Sequence, residues 1–309
     1  MSSPGTATPD EISAWLRLTR AEGIDRATLH LLLSEFGLPD AILSQGVSAI
    51  ARFTGHNAAA RLKSASTADQ EAIALATETW LLRGERSVLS IADNAYPGQL
   101  LEAPDAPFML FADGRIDRLS ARRVALSAPT DASHAGIETG AAFARALAAR
   151  GIPLAVEFGS LFAKAVIEAV LSVKGADIVA ILSDGPNQIT PADQLEVARE
   201  VAKESTLVSD LAPGESRSPL QKRHPSSLLV GLCAGVLIIE APLHSRPYAT
   251  ARLAAEAGRD VMALPGSIHS PLARGCHRLI REGARLVDSI EDVVEEIQRS
   301  PPKQAPTST

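Results

Sequence analysis

The stretch that decides the fold is VALSAPTDASHAGIETGAAFARALAARGIPLAV, Val124 to Val156. It opens on a short apolar run, Val124 to Leu126, passes through a polar turn, continues as a helix and ends in a second apolar run. A strand, a helix and a strand at this spacing form a βαβ unit with parallel strands. The turn between strand and helix is where an anion sits in such a sheet, because the free amides of a helix N-terminus point at it. Turns that cradle a phosphate usually carry two or three glycines, which let the backbone approach closely. Here none occurs before Gly136.

The same alternation extends in both directions. SVLSI, FMLFA, RVALS, IPLAV, DIVAIL, STLVS, GVLIIE and DVMALP read as strands. Between most of them lie helical patterns: TGAAFARALAAR, SLFAKAVIEAVLSV, PADQLEVAREVAKE, ATARLAAEAG and GCHRLIREGA. Strands that are continuous apolar runs belong to a parallel sheet covered on both faces. Residues 86–298 are therefore expected to form an α/β, Rossmann-like doubly wound domain with a mostly parallel sheet. The longest apolar run, Leu228 to Ile239, is too short to span a membrane. It reads as a helix end, a glycine break and a buried strand.

Upstream the period is helical. DEISAWLRLTR places Ile12, Leu16 and Leu18 near one face behind an acidic cap. GIDRATLHLLLSEFG follows a glycine turn, with Leu29, Leu32 and Leu33 inward and Gly37 as the stop. TADQEAIALATETWLLRGE runs from a Thr67 cap to Gly84. Residues 10–85 are expected to be a small all-α domain. Residues 1–9 and 299–309, polar or rich in Pro, Ser and Thr, are expected to be disordered.

Of 309 residues, 46% are hydrophobic and 21% charged, a globular composition. Two cysteines, Cys233 and Cys276, fit a reducing compartment. The N-terminus shows no secretory h-region, so a cytoplasmic location is expected. The net charge of −6 argues against indiscriminate binding of polyanions. Yet from Arg217 to Arg285 there are ten Lys and Arg against four acids, with four of the seven histidines. This local excess points either to a polyanion site or to a solvated arginine-rich surface.

Candidate chemistry is otherwise sparse. In LPGSIHSPLARGCHRLIREGA, Leu264 to Ala284, small residues after a strand would let an extended anion approach the backbone; a plain connection is the alternative. GIDRATLH has the layout of a helix-hairpin-helix, but Asp25 stands where a second glycine is needed and would repel phosphate. No Gly-x-Ser-x-Gly elbow occurs, and Ser160 reads as a helix cap. Cys276 and His277 are helix neighbours that do not face each other. Metal-ligand pairs, GxGxxG and a Walker loop are all missing. No catalytic residue, metal or cofactor is expected.

YPGQLLEAPDAPFMLFADG (Tyr96 to Gly114), LVSDLAPG (Leu207 to Gly214) and Gly231 to Val287 carry a resemblance to the DprA/Smf DNA-processing family. The last segment holds Glu240-Ala241, Ser245, Thr250-Ala251, Gly258-Arg259, Pro265-Gly266-Ser267, Gly275, Leu279-Ile280 and Gly283-Ala284. The helical start resembles that family's N-terminal domain, which is SAM-like or helix-hairpin-helix-like. The resemblance implies an extended Rossmann fold, single-stranded DNA binding, a homodimer, and delivery of DNA to the recombinase RecA in natural transformation.

Several positions depart from the family pattern. Ala128, Pro129 and Thr130 stand where it places Gly-Ser-Arg. Its Ser-Gly-Leu-Ala turn falls on VEFGSLFA, Val156 to Ala163, and its Arg-Asn-Arg element on Pro225-Ser226-Ser227. Its Ser-Gly-Ser turn becomes Ser245-Arg246-Pro247, and the C-terminal winged helix of many members is expected to be absent. Pro129 removes an amide, Ala128 adds a Cβ, and the lost arginine removes a bidentate grip.

The remaining candidates for contact with DNA are Lys222, Arg223, Arg246, Arg252, Gly266, Ser267 and Arg274. One alternative is a degenerate paralogue that keeps the fold and acts through protein contacts. Another, from fold analogy alone, is a nucleotide sensor or phosphoribosyl-cleaving enzyme, of whose Pro-Gly-Gly-x-Gly-Thr loop only Pro265-Gly266 is present.

Overall fold

The computed structural model describes residues 8–64, 68–103, 106–217 and 225–299. Among them, helices come first: α1 (Pro9–Thr19), α2 (Arg26–Phe36), α3 (Pro39–Ser44), α4 (Val47–Thr54), α5 (His56–Lys63) and α6 (Ala68–Leu81). The chain then runs through β1 (Arg86–Ser90), α7 (Gly98–Leu101), β2 (Met109–Gly114), β3 (Arg123–Ser127), α8 (His134–Ala149), β4 (Leu154–Glu157) and α9 (Leu161–Leu171). It continues with β5 (Ile178–Ile181), α10 (Leu195–Glu204), β6 (Thr206–Ser209), α11 (Pro225–Leu232) and β7 (Cys233–Ile238). It closes with α12 (Arg246–Glu256), β8 (Asp260–Ala263), α13 (Arg274–Arg281), β9 (Arg285–Leu286) and α14 (Ile290–Arg299).

The nine strands among the described residues join one sheet in the order β1-β2-β6-β5-β4-β3-β7-β8-β9. From β6 to β9 every pairing is parallel, and β2 meets both β1 and β6 antiparallel. The chain builds outward from β3 through β4, β5 and β6, then returns to the other side of β3 as β7. The strand order therefore reverses between β3 and β7. In an open α/β sheet that crevice, at the carboxyl ends of the strands, is the expected ligand position.

Successive strand residues feed opposite faces. Val124, Leu126, Leu154, Val156, Ile178, Ala180 and Leu237 join a core with Leu147, Phe162 and Ile167 of the α8 and α9 side. Ala125, Ala155, Val179, Ile181, Val236 and Ile238 join a second core with Leu228 of α11 and Ala251 of α12. The helices α1 to α6 form a third core that includes Val88, Phe108, Met109 and Phe111, so this layer rests on the β1–β2 end of the sheet.

Local differences from the sequence reading have physical causes. α1 starts at Pro9, within the stretch expected to be disordered, because Thr8 and Glu11 form a reciprocal capping box. The acids at its start lie in the first turn and are not the cap. Asp25 caps α2 by accepting from the Thr28 amide, so this carboxylate is engaged locally. Leu29 and Leu32 are buried as expected, while Leu33 is half-buried. Thr67 lies outside the described residues. The apolar run Leu228 to Ile239 has no glycine break: α11 passes directly into β7. Gly231 lies within the helix against Leu100, and Gly235 within the strand against Asp260. Arg299, placed in the expected tail, closes α14.

Two expected results follow from this packing. Gly140 of α8 lets Phe162 of α9 sit where a Cβ would be, well inside contact distance. Gly140→Ala is expected to lower stability by about 1–3 kcal/mol through overpacking, read as a lower urea midpoint at unchanged slope. At the start of α14, Asp292 accepts from the Asp288 amide, from the Ser289 hydroxyl and from the Ser289 amide. These bonds, led by the Asp288 amide, lower its pKa from 3.8 to about 2. A depressed carboxyl contributes stability that is present above its unfolded pKa and lost as the pH falls through the folded one. Asp292→Asn should therefore flatten the loss of stability between about pH 4 and pH 2 in acid titrations followed by circular dichroism.

Candidate functional site

The turn after β3 is the anion position of this fold, and the protein fills it with a carboxylate of its own. β3 ends at Ser127, and Ser133 caps α8, its hydroxyl accepting from the Gly136 amide at 3.0 Å. Thr130 takes no part in that cap. Glu240, two residues past the end of β7, reaches across the β3–β7 crevice. Its Oε2 accepts from the Ser133 amide at 2.9 Å and its Oε1 from the Ser133 hydroxyl at 2.5 Å. A negative group at a helix N-terminus is favoured by the unpaired amides and the dipole. Gly136 makes room for it: a Cβ there would stand 2.5 Å from the Glu240 carboxyl.

One strand over, a cavity of about 320 Å³ opens at the carboxyl ends of β3, β4 and β5. Ala128 and Thr130 line one wall, Glu157, Gly159 and Ser160 the floor, and Ser183, Thr190 and Arg246 the rim. Pro129 is buried beside it. Gly159 has φ +110°, a conformation that glycine adopts without strain, and any side chain there would meet the Thr190 carbonyl. The turn brings Ser160 to the N-cap of α9, its hydroxyl accepting from the Ala163 amide. Glu157 ends β4 and is mostly covered. It accepts from the Ser226 hydroxyl at 2.5 Å and from Arg246 Nη1 at 3.3 Å. Thr250 Oγ1 lies 3.1 Å from Ser226 Oγ, and both residues are buried.

On the far side of β7, the turn Pro265 to Ser270 leads into α13. Its backbone is tied to the end of β7: the Ala241 amide donates to Leu272 O and the Gly275 amide to Ala241 O, each at 2.7 Å. His277 Nε2 sits 2.9 Å from the Gly266 carbonyl. Gly266 and Ser267 are exposed, and Arg274 projects from the first position of α13.

The basic segment is less available than its count suggests. Arg217 pairs with Asp210, Arg246 with Glu157, Arg259 with Glu102, Arg278 with Glu282, and Arg285 with Asp292 and Glu295. Arg252, Arg274 and Arg281 are exposed with no ion-pair partner among the described residues. Of the candidate contacts, Arg246, Gly266, Ser267 and Arg274 share the carboxyl edge of the sheet. Arg252 does not join them; it lines a separate cavity with Asp260, Val261 and Arg285, at the amino ends of β8 and β9. Lys222 and Arg223 lie outside the described residues. Glu157, Ser226 and Glu240 were not singled out as site residues from the sequence. The usable signal was an acid that closes or directly follows an apolar strand, as in LAVE and VLIIE.

Burial pushes both thiols up to about 12, Cys233 inside β7 and Cys276 inside α13. Neither thiol is expected to react with iodoacetamide in the native protein at pH 8, and both should once it is unfolded, read by mass spectrometry. No cluster of three His, Cys, Asp or Glu that could hold a metal occurs among the described residues. No helix among them is long and apolar enough to cross a membrane.

Residues 87–298 match the model of a family described as DNA recombination-mediator protein A. Over 220 residues the chain is 32% identical to the DNA processing protein DprA of Streptococcus pneumoniae, covering 68% of this chain and 73% of that protein. Over 224 residues it is 34% identical to Protein Smf of Escherichia coli, covering 71% of this chain and 59% of that protein. The X-ray structure of the Streptococcus pneumoniae DprA superposes with a TM-score of 0.77 at 26% identity, covering 94% of this chain and 98% of that one. A Helicobacter pylori DprA, studied for its single-stranded DNA binding mode, shares the fold at TM-score 0.62 and 19% identity, over 70% of this chain and 97% of that one. With most of the sheet domain inside the matched segment, the chain belongs to the DNA recombination-mediator protein A family.

Proposed function

We propose that this protein binds single-stranded DNA along the carboxyl edge of its sheet and delivers it to the recombinase RecA, acting as a dimeric binding protein and not as an enzyme. The observation that carries the reading is the exposed β8–α13 turn. Gly266 and Ser267 are exposed there, the Gly266 backbone held by His277 and the Ser267 hydroxyl accepting from the His269 amide at 3.3 Å, and Arg274 is exposed beside them with no ion-pair partner among the described residues. Small residues and a free guanidinium suit a phosphate backbone. The family's own phosphate turn is not the grip, since Ala128, Pro129 and Thr130 offer no arginine and Glu240 already occupies the amide of Ser133.

A labelled oligothymidine titrated by anisotropy at rising salt tests this. Binding that weakens with salt, at a slope of about −0.7 per phosphate contact, supports the reading. No binding at low salt overturns it. The two inward carboxylates, Glu157 and Glu240, favour a second reading, a paralogue that acts through protein contacts. A stable complex with RecA formed without DNA, together with no oligothymidine binding at low salt, would support that one.

A further inference from the structure

We infer that Glu157 is the specificity-determining residue of the carboxyl-edge site: it holds Arg246 as an internal stand-in for phosphate and keeps nucleic-acid phosphates out of the β3–β4–β5 cavity. The inference rests on the DNA-binding reading above and deepens it.

The geometry is that of an occupied anion grip. Arg246 stands at the rim with its side chain 55% exposed, which alone would offer it to any passing polyanion. Its Nη1 instead donates to Glu157 Oε2, and the Glu157 side chain is only 16% exposed. The second carboxyl oxygen is fixed from below by Ser226, which sits within hydrogen-bond reach of Thr250. The carboxylate is thus anchored on buried hydroxyls, and its free approach is toward Arg246 and the cavity. A phosphate that enters must break the pair and sit beside a fixed negative charge. Like charges at such a distance repel strongly where water is partly excluded. The cavity has the hydroxyls and the helix start of an anion site, and this one carboxylate reverses its preference.

Glu157→Gln keeps the shape and an oxygen for Ser226 while removing the charge. The test measures labelled oligothymidine and inorganic pyrophosphate on the full chain as wild type, Glu157→Gln, and Glu157→Gln with Arg246→Ala. Glu157→Gln is expected to bind oligothymidine roughly tenfold tighter, the worth of one charge-assisted phosphate contact. Its salt slope should steepen by about 0.7. It should also bind pyrophosphate where the wild type does not, and Arg246→Ala should remove both gains. Glu157→Ala is a second variant with the same expected gains, should the glutamine form fold poorly.

Unchanged affinity for both probes overturns the inference. A gain that survives Arg246→Ala also overturns it, since general loss of negative charge would then be the cause. A gain for pyrophosphate with no oligothymidine binding by any variant sustains the role of Glu157 and sinks the DNA reading.

Discussion

Reversing Arg246 and Arg274 together to glutamate is expected to lower oligothymidine affinity roughly a hundredfold at low salt, about tenfold per position, without unfolding the protein. The two residues share the carboxyl edge of the sheet and lie on opposite sides of β7, so a strand crossing that edge passes both. Arg274 is exposed and makes no ion pair among the described residues, so its reversal removes a contact and adds a repulsion. Arg246→Glu breaks the pair with Glu157 and leaves two carboxylates facing each other at the rim. Both replaced side chains are largely in water, where charges contribute little to stability, so the cost falls on the partly covered Glu157 alone and leaves the fold intact. The salt dependence should flatten in step with the loss. Unchanged affinity would move the DNA path away from this edge. Arg252→Glu is the matched control, because its side chain lines a cavity at the opposite end of the strands.

The largest effect on stability is expected at Arg123. This side chain is fully buried at the start of β3, a position that reads as a strand residue in RVALS. Its guanidinium pairs with Asp177 at 3.3 Å and donates to the carbonyls of Leu154, Arg118 and Leu119. Arg123→Met leaves Asp177 as an unpaired charge beneath the sheet, together with three carbonyls that lose their donor. Breaking a buried pair by removing one partner costs about 3–5 kcal/mol. The melting temperature should fall by on the order of 10 °C. Replacing the pair by apolar residues of similar volume removes the stranded charge, so Arg123→Met with Asp177→Leu should recover most of the loss. A single variant as stable as the wild type would show that the pair adds nothing.

These two sites mark what the sequence disclosed and what it withheld. The eight apolar runs read as strands are strands, because a strand buried on both faces needs no polar alternation and announces itself by composition. β9, with only two residues, is too short to carry any pattern. The helix end read in the run from Leu228 was real, but its boundary was obscured because α11 and the following strand are equally apolar, so period gave no break between Leu232 and Cys233. At the site, the turn after β3 and the turn after β8 could be placed from the strand-to-helix rhythm. The partners of their charges could not. Glu157 meets Arg246 across 89 residues and Glu240 meets Ser133 across 107, and such pairings follow from strand order. A count of arginines between 217 and 285 therefore reads as a basic face, when most of those described are already neutralised in place.

The two-residue β9 has a consequence for the molecule in company. It is the last strand of a nine-stranded sheet, and the open edge of a sheet is a template on which another chain can add hydrogen bonds. At this end a newcomer finds only two rungs, Arg285 and Leu286, before the chain turns into α14. The ladder stops where it is, and copies crowded together gain little by lengthening it from one molecule into the next.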